Sequence, residues 1–185
     1  MARVFVITGP SGVGKGTHIR GLMQRVPGLE LSVSATTRAP RAGERAGVDY
    51  HFLPREEFDR RVAGGEFVEH ADYAGRSYGT LRSELSDRLR AGVPVVLEIE
   101  VQGARQVRAG MPEAVQVFIA PPSLGALRTR LTGRGTDDLQ EVERRLRVAE
   151  QELEAQPEFG HVVVNDRLED ALDRLTAIVE GELDS

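Results

Sequence analysis

Residues 9–17, Gly-Pro-Ser-Gly-Val-Gly-Lys-Gly-Thr, have the spacing that phosphate chemistry asks for. In a G-x-x-x-x-G-K stretch the glycines let the backbone curl so that successive N–H groups point into one concavity. A helix opening at the lysine adds positive partial charge to it. Lys15 would then lie against the β- and γ-phosphates of a nucleotide, which the backbone of Gly9, Pro10, Ser11, Gly12, Val13, Gly14 and Gly16 would cradle with its N–H groups, proline excepted. The strict pattern has Ser or Thr directly after the lysine, where its hydroxyl ligates magnesium; here that residue is Gly16, followed by Thr17. The departure weakens one direct bond from protein to magnesium. Magnesium tolerates that loss, because it keeps several waters and takes its other ligands from substrate phosphates.

Two further sets of side chains suit phosphate or base chemistry. Arg38 and Arg41, with Pro40 stiffening the loop between them, form a fork for a phosphate dianion. Glu98 and Glu100 close an apolar run, two residues apart and so on one face of a strand. Acid at the carboxyl end of a strand beside a phosphate loop suits magnesium or its water shell, or the donor edge of a base, with capping of a helix from Val101-Gln102 as the alternative. Of the 24 basic residues, 23 are arginine and Lys15 is the single lysine. A chain that uses arginine everywhere else has kept a compact ammonium at the one place where a planar fork fits poorly.

The elements that must position these groups alternate. Residues 4–7 are apolar and β-branched or aromatic, fit for a buried strand; Ile19, Leu22, Met23 and Val26 then recur at helical spacing until Pro27-Gly28. Strands are expected at 29–37, 49–52, 94–100, 115–119 and 161–164, and a hairpin over 66–78 turning near Ala74-Gly75. Helices are expected at 55–63, 80–90, from 104, and at 123–131, 137–156 and 168–183. Strand–helix alternation means an α/β fold with a parallel sheet covered on both faces. The section from about 33 to 85 breaks the alternation and reads as an inserted α+β lobe; the arginine-rich helical section 122–150 sits where a lid could close.

At 185 residues the chain is one domain by length. No apolar run approaches a membrane span, and the first residues lead directly into a strand with no signal-peptide pattern. The absence of cysteine excludes disulfides and thiolate metal sites, and makes the cytoplasm the default location. A net charge of −5 gives no field that would favour nucleic acid. Expected partners are therefore small molecules, for a monomer or weak homodimer with no membrane contact.

The phosphate loop in its G-K-G-T form resembles that of nucleoside monophosphate kinases. Over nearly its whole length the chain resembles guanylate kinase, on the pieces S-A-T-T-R-A-P-R-A-G-E (34–44), D-Y-H-F (49–52), G-E-F-V-E (65–69), Y-G-T (78–80), L-E-I-E-V-Q-G (97–103), I-A-P-P-S (119–123), G-R-G-T (133–136) and V-N-D (164–166). The resemblance implies a P-loop three-layer fold with core segments 1–32, 86–121 and 151–185, a GMP-binding lobe at 33–85 and a lid at 122–150. It implies phosphoryl transfer from ATP to GMP with Mg2+ as cofactor, the metal held by ATP phosphates and water near Thr17, Glu98 or Glu100. Arg38, Arg41, Tyr50 and Tyr78 would hold the GMP phosphate. Ser34, Glu69 and Thr80 would read guanine, with Thr80 donating to O6 and Glu69 accepting from N1–H and the N2 amino group. Glu98 and Glu100 stand on the GMP side or beside magnesium. Arg134 and Arg145 match lid arginines that reach the ATP phosphates, and Asn165 matches the adenine-side loop. Arg128, Arg130, Arg144 and Arg147 read as surface charges on helices, and the four histidines as having no role.

Overall fold

The computed structural model describes residues 3–73, 75–132 and 139–185. Its main sheet has five strands, all parallel: β1 (Val4–Thr8), β2 (Glu30–Leu31), β7 (Val95–Glu98), β8 (Val115–Ala120) and β9 (His161–Val164), in the spatial order β2-β7-β1-β8-β9. Every residue of β1 and β8 is buried, as a strand covered on both faces requires. Alternate side chains of β1 go to opposite faces. Phe5 and Ile7 pack with Ile19 and Leu22 of α1 (Lys15–Arg25) and Leu175 and Val179 of α7 (Leu168–Leu183), while Val4 and Val6 pack with Leu85 of α3 (Arg82–Arg90) and Ala104 and Val107 of α4 (Val101–Gly110).

A second sheet of four strands comprises β3 (Ala35–Thr36), β4 (His51–Phe52), β5 (Phe67–Tyr73) and β6 (Arg76–Leu81), in the order β4-β3-β6-β5. It carries α2 (Arg55–Ala63) and a small core of its own, Ala35, Phe58, Phe67 and Leu81, with the Phe58 and Phe67 rings 4.5 Å apart. A third core, Leu127, Leu131, Val142, Leu146 and Ala149, joins α5 (Leu124–Thr132) to α6 (Leu139–Glu154).

The structure departs from the sequence expectations in three places that matter for the site. The alternating stretch 29–37 is not one strand. Ser32 N still donates to Val96 O of the main sheet at 3.0 Å, but Ser34 O accepts from His51 N of the second sheet at 2.9 Å. The backbone stays extended while its partner changes, and side-chain alternation carries no signal of that exchange. Glu100 is not on a strand face: β7 ends at Glu98, and Glu100 is the N-cap of α4, accepting from Gln102 N at 2.8 Å and Gly103 N at 2.6 Å. That cap starts α4 three residues earlier than expected. Finally, β5 and β6 pair with a bulge: Phe67 faces Leu81, yet Glu69 faces Thr80 where an unbroken register would bring Gly79. The expected break at Gly133-Arg134-Gly135 and the residue Ala74 of the hairpin turn lie outside the described residues.

Because the second sheet has its own core, removing Phe58 should loosen it selectively. Phe58→Ala is expected to cost about 3–5 kcal/mol locally. Native-state hydrogen exchange should then show protection lost across β3–β6 while β1 and β8 keep theirs; uniform loss over both sheets would contradict this reading.

Candidate active site

The phosphate loop leaves β1 and turns into α1 within six residues. Gly14 is the N-cap of α1 at φ 102°, a left-handed conformation that suits glycine. Gly9 is needed for space as well: a Cβ there would meet Ile119 O at 2.2 Å. The start of α1 has no side-chain cap. Its first amides are therefore donors for an anion, backed by the helix dipole. Lys15 curls back over the loop, its Nζ donating to Gly9 O at 2.6 Å and Pro10 O at 3.3 Å. Burial pushes its ammonium below the usual lysine range, against the opposing pull of Glu152, Glu98 and Glu100.

Four elements hold this loop from outside. Asn165, buried at the end of β9, donates to Val13 O at 2.8 Å. Arg130 of α5 donates to Asn165 O at 2.8 Å and Val13 O at 3.4 Å. From α6, Arg145 donates to Ser11 Oγ at 2.7 Å, and Glu152 accepts from Ser11 N at 3.4 Å. From within α1, His18 is fully buried and its Nδ1 donates to Gly14 O at 2.8 Å. Arg130 and His18, read from the sequence as surface charge and as roleless, are thus parts of the loop's support. Asn165, which the resemblance matched to the adenine-side loop, gives its side-chain amide to the phosphate loop.

One cleft of about 600 Å³ joins the loop to the second sheet. Of the expected residues, Ser11, Gly12, Gly14, Lys15, Gly16, Thr17, Ser34, Arg38, Arg41, Tyr50, Glu69, Tyr78, Glu98, Glu100 and Arg145 all line it. Gly9, Pro10, Val13, Thr80 and Asn165 stand behind the wall, and Arg134 lies outside the described residues. Arg20, Glu44, Asp49 and Glu152 also line the cleft. Two of these had a readable signal: Arg20 follows Gly16 by one helical turn, and Glu152 follows Arg145 by two.

Within the second sheet the arginine fork is already braced. Glu44 accepts from Arg38 Nη2 at 2.8 Å and from Arg41 N at 2.7 Å, so one carboxylate fixes both ends of the 38–41 loop. That bond holds Arg38 more firmly charged and Glu44 below the usual carboxylate range. The Arg38 guanidinium lies 5.3 Å from the Tyr50 ring centre, and Tyr50 meets Tyr78 edge-on at 6.3 Å. Burial, and then the Glu98 charge, push the Tyr50 phenol up, keeping it a hydrogen-bond donor.

Glu69 is 3% exposed, and its Oε1 accepts from the Thr80 hydroxyl at 2.7 Å. The bulge noted above is what sets these two side chains opposite each other. Thr80's single proton is therefore committed to Glu69, where the resemblance had it donating to O6. Burial drives the Glu69 carboxyl up to about 7, opposed by the Thr80 bond and aided by the nearby Glu100 charge. A carboxylate in this setting favours a ligand edge that offers two N–H donors at once.

For magnesium, the structure offers oxygen donors of the right type near the loop. The Glu98 carboxylate lies 3.9 Å from where a Cβ on Gly16 would stand, so it faces the position of the missing hydroxyl, and the Thr17 hydroxyl is next to it in sequence. No cluster of three His, Asp or Glu side chains fit to cage a metal occurs among the described residues. This donor set fits an ion carried in by phosphates and keeping most of its waters. No described helix is long and apolar enough to cross a membrane.

The chain was also compared with known proteins. The guanylate kinase family model matches residues 1–182. A guanylate kinase of Synechococcus sp. strain CC9311 is 54% identical over 175 residues, covering 95% of this chain and 92% of that protein. One from Frankia casuarinae is 54% identical over 176 residues, covering 95% and 96%. The crystal structure of guanylate kinase from Anaplasma phagocytophilum superposes with a TM-score of 0.81 at 35% identity, covering all of this chain and 87% of that one. With the family model spanning nearly every residue and these relatives matched end to end, the chain belongs to the guanylate kinase family.

Proposed function

We propose that this cleft transfers the γ-phosphoryl group of ATP to GMP, giving ADP and GDP, the reaction of the family. The observation that carries the reading is the buried Glu69 carboxylate, held from behind by the Thr80 hydroxyl and lining the same cleft as the phosphate loop. An oxygen of the GMP phosphate attacks the γ-phosphorus as the bond to the β,γ-bridging oxygen breaks. Phosphoryl transfer asks for little covalent chemistry from the protein, so positioning and charge supply most of the catalysis.

Lys15 and the open amides of the 9–16 loop hold the triphosphate, and Arg38, Arg41, Tyr50 and Tyr78 align the acceptor phosphate against it. Glu69 takes guanine N1–H and the N2 amino group, with Thr80 orienting the carboxylate and Ser34 beside the base. Adenine has an acceptor at N1 and no donor at position 2, so it leaves the buried carboxylate unmatched. Such a site can reject the wrong base by roughly 10⁴–10⁵. Arg145 neutralises charge on the transferring group; Arg134 joins it on the strength of the resemblance. Glu98 and Thr17, beside the loop, would hold Mg2+ through its waters, and the ion would supply neutralising charge to the ATP phosphates. In this reading, 33–85 is the GMP lobe, 122–150 the lid and the remainder the core, and closure excludes the water that would otherwise hydrolyse ATP. A cysteine-free chain acting on nucleotides suits the cytoplasm.

A coupled assay of ADP formation tests the substrate assignment. GMP is expected to be strongly preferred over AMP and UMP, and Lys15→Ala should abolish turnover with each. Glu69→Gln should cut kcat/KM for GMP by at least about a hundredfold, through the loss of charge-assisted hydrogen bonds, and leave KM for ATP nearly unchanged. Equal use of AMP, or an unimpaired Glu69→Gln enzyme, would refute the assignment.

The raised Glu69 pKa gives a signed pH dependence. Guanine's two donors need the ionised form, so kcat/KM for GMP should rise with pH and level off above about 7. The folded value lies above the ordinary 4.5, so the native state holds the extra proton between the two. The charge therefore costs the free protein stability that is lost as pH climbs from 4.5 through about 7. Glu69→Gln should accordingly remove the step near pH 7 in the GMP profile. It should also raise the melting temperature at pH 8 more than at pH 4; an equal change at both would contradict the titration.

A further inference from the structure

Gly103 is the third residue of α4 and is buried directly behind Glu69, outside the cleft wall. A Cβ added there would lie 2.4 Å from Glu69 Oε2, 3.1 Å from its Cδ and 3.4 Å from Glu100 Oε1. Nothing about the backbone asks for glycine, since its φ lies outside the left-handed region and the residue is helical. Helical propensity in fact favours alanine at such a position. What the position lacks is room, and the atom claiming that room is the inner oxygen of the Glu69 carboxylate. The carboxylate cannot simply swing away, because its other oxygen holds the Thr80 hydroxyl at 2.7 Å and the residue is almost wholly enclosed.

We infer that Gly103 is a positioning residue that sets acceptor specificity. Its missing side chain is the recess into which Glu69 draws back, so that the carboxylate meets the donor edge of the acceptor base at hydrogen-bonding distance. Alanine at 103 would push the carboxylate into the space the base occupies or rotate it off Thr80. Because the clash falls on the far end of a flexible side chain, the fold absorbs the shift and recognition does not. This inference rests on the reading that Glu69 accepts from the guanine edge.

The test compares the wild type with Gly103→Ala, Glu69→Asp, the double variant and Glu69→Gln, measuring kcat, KM for GMP, KM for ATP and melting temperature. Gly103→Ala is expected to raise KM for GMP about ten- to a hundredfold, the effect of misplacing one charge-assisted hydrogen bond, with KM for ATP unchanged and melting temperature unchanged or higher. Aspartate withdraws the carboxylate by about 1.5 Å, one carbon–carbon bond, and so empties the space a Cβ needs. In that background the alanine should therefore add less than about a twofold further loss, where independent sites would add in full. Full additivity would overturn the inference, as would a fall in melting temperature that Glu69→Asp does not relieve. If Glu69→Gln is impaired while Gly103→Ala uses GMP normally, the role of Gly103 fails alone. An unimpaired Glu69→Gln takes the reading of Glu69 down with it.

Discussion

A carboxylate is costly to bury, and the second sheet of this protein is built around one. Glu69 is enclosed on the second sheet, held by a neutral hydroxyl and flanked by the charge of Glu100. In that setting its proton and its charge are nearly balanced at neutral pH, so a ligand offering two N–H groups brings what the protein itself withholds. Several otherwise unrelated features follow from accommodating it. The bulge between Phe67 and Glu69 brings Thr80 opposite, and the helix start at Glu100–Gly103 supplies a surface without a Cβ for the carboxylate to rest on. Glu100 caps its own helix with both oxygens, which satisfies a second carboxylate with backbone donors within a residue or two of the first one's recess.

The loop between β1 and α1 meets the opposite demand. The phosphate loop must present positive groups with little counter-charge, and such a loop does not hold its shape unaided. Its carbonyls and its serine are tied instead to distant elements: Val13 O to Asn165 and Arg130, Ser11 to Arg145 and Glu152, Gly14 O to His18. Most of these bonds use the loop's acceptors, and the start of α1 keeps no side-chain cap on its first donors. Glu152 is the exception. It accepts from Ser11 N and adds negative potential at Lys15, which together with Glu98 and Glu100 offsets part of the cost of burying that ammonium.

How much of this was legible in the sequence varies with the kind of interaction. Periodicity and punctuation are local, and α2 and α7 fall on their expected spans, as does the strand–loop–helix around Lys15. The cleft likewise gathers most of the residues that motif spacing singled out. Partner exchange is not local. The stretch 29–37 alternates correctly throughout, yet Ser32 bonds to one sheet and Ser34 to the other. Capping at Glu100 shows in sequence only as acid before a helix, which an acid at a strand end imitates. Arg130 looked like a surface charge because arginine is usual on an exposed helix face, and only the fold brings Val13 and Asn165 within its reach. Gly103 was invisible for a different reason: a glycine that makes room leaves no signature distinct from one that makes a turn.

The joint between the two halves is where these levels meet. Between β2 and β3 the backbone at Val33 finds its partner in a side chain, Glu84 of α3, whose carboxylate accepts from Val33 N at 3.3 Å, from His51 at 2.8 Å and from Arg88 at 2.7 Å; Arg88 in turn donates to Glu30 of β2. The hydrogen bonds of His51, Arg88 and Val33 hold Glu84 below the usual carboxylate range even though it is largely shielded from water. A single acid thus ties β4 to the strand end that carries Ser34, and both to the edge of the main sheet. Ser34 and Tyr50 flank this knot and line the cleft, so the geometry of that end of the cleft is set by the same bonds that join the sheets. A change in the angle between the sheets works through residues 32–34, where Ser32 N, Val33 N and Ser34 O already have partners on one side or the other. The joint is thus held by defined bonds to both sheets and is not a slack linker.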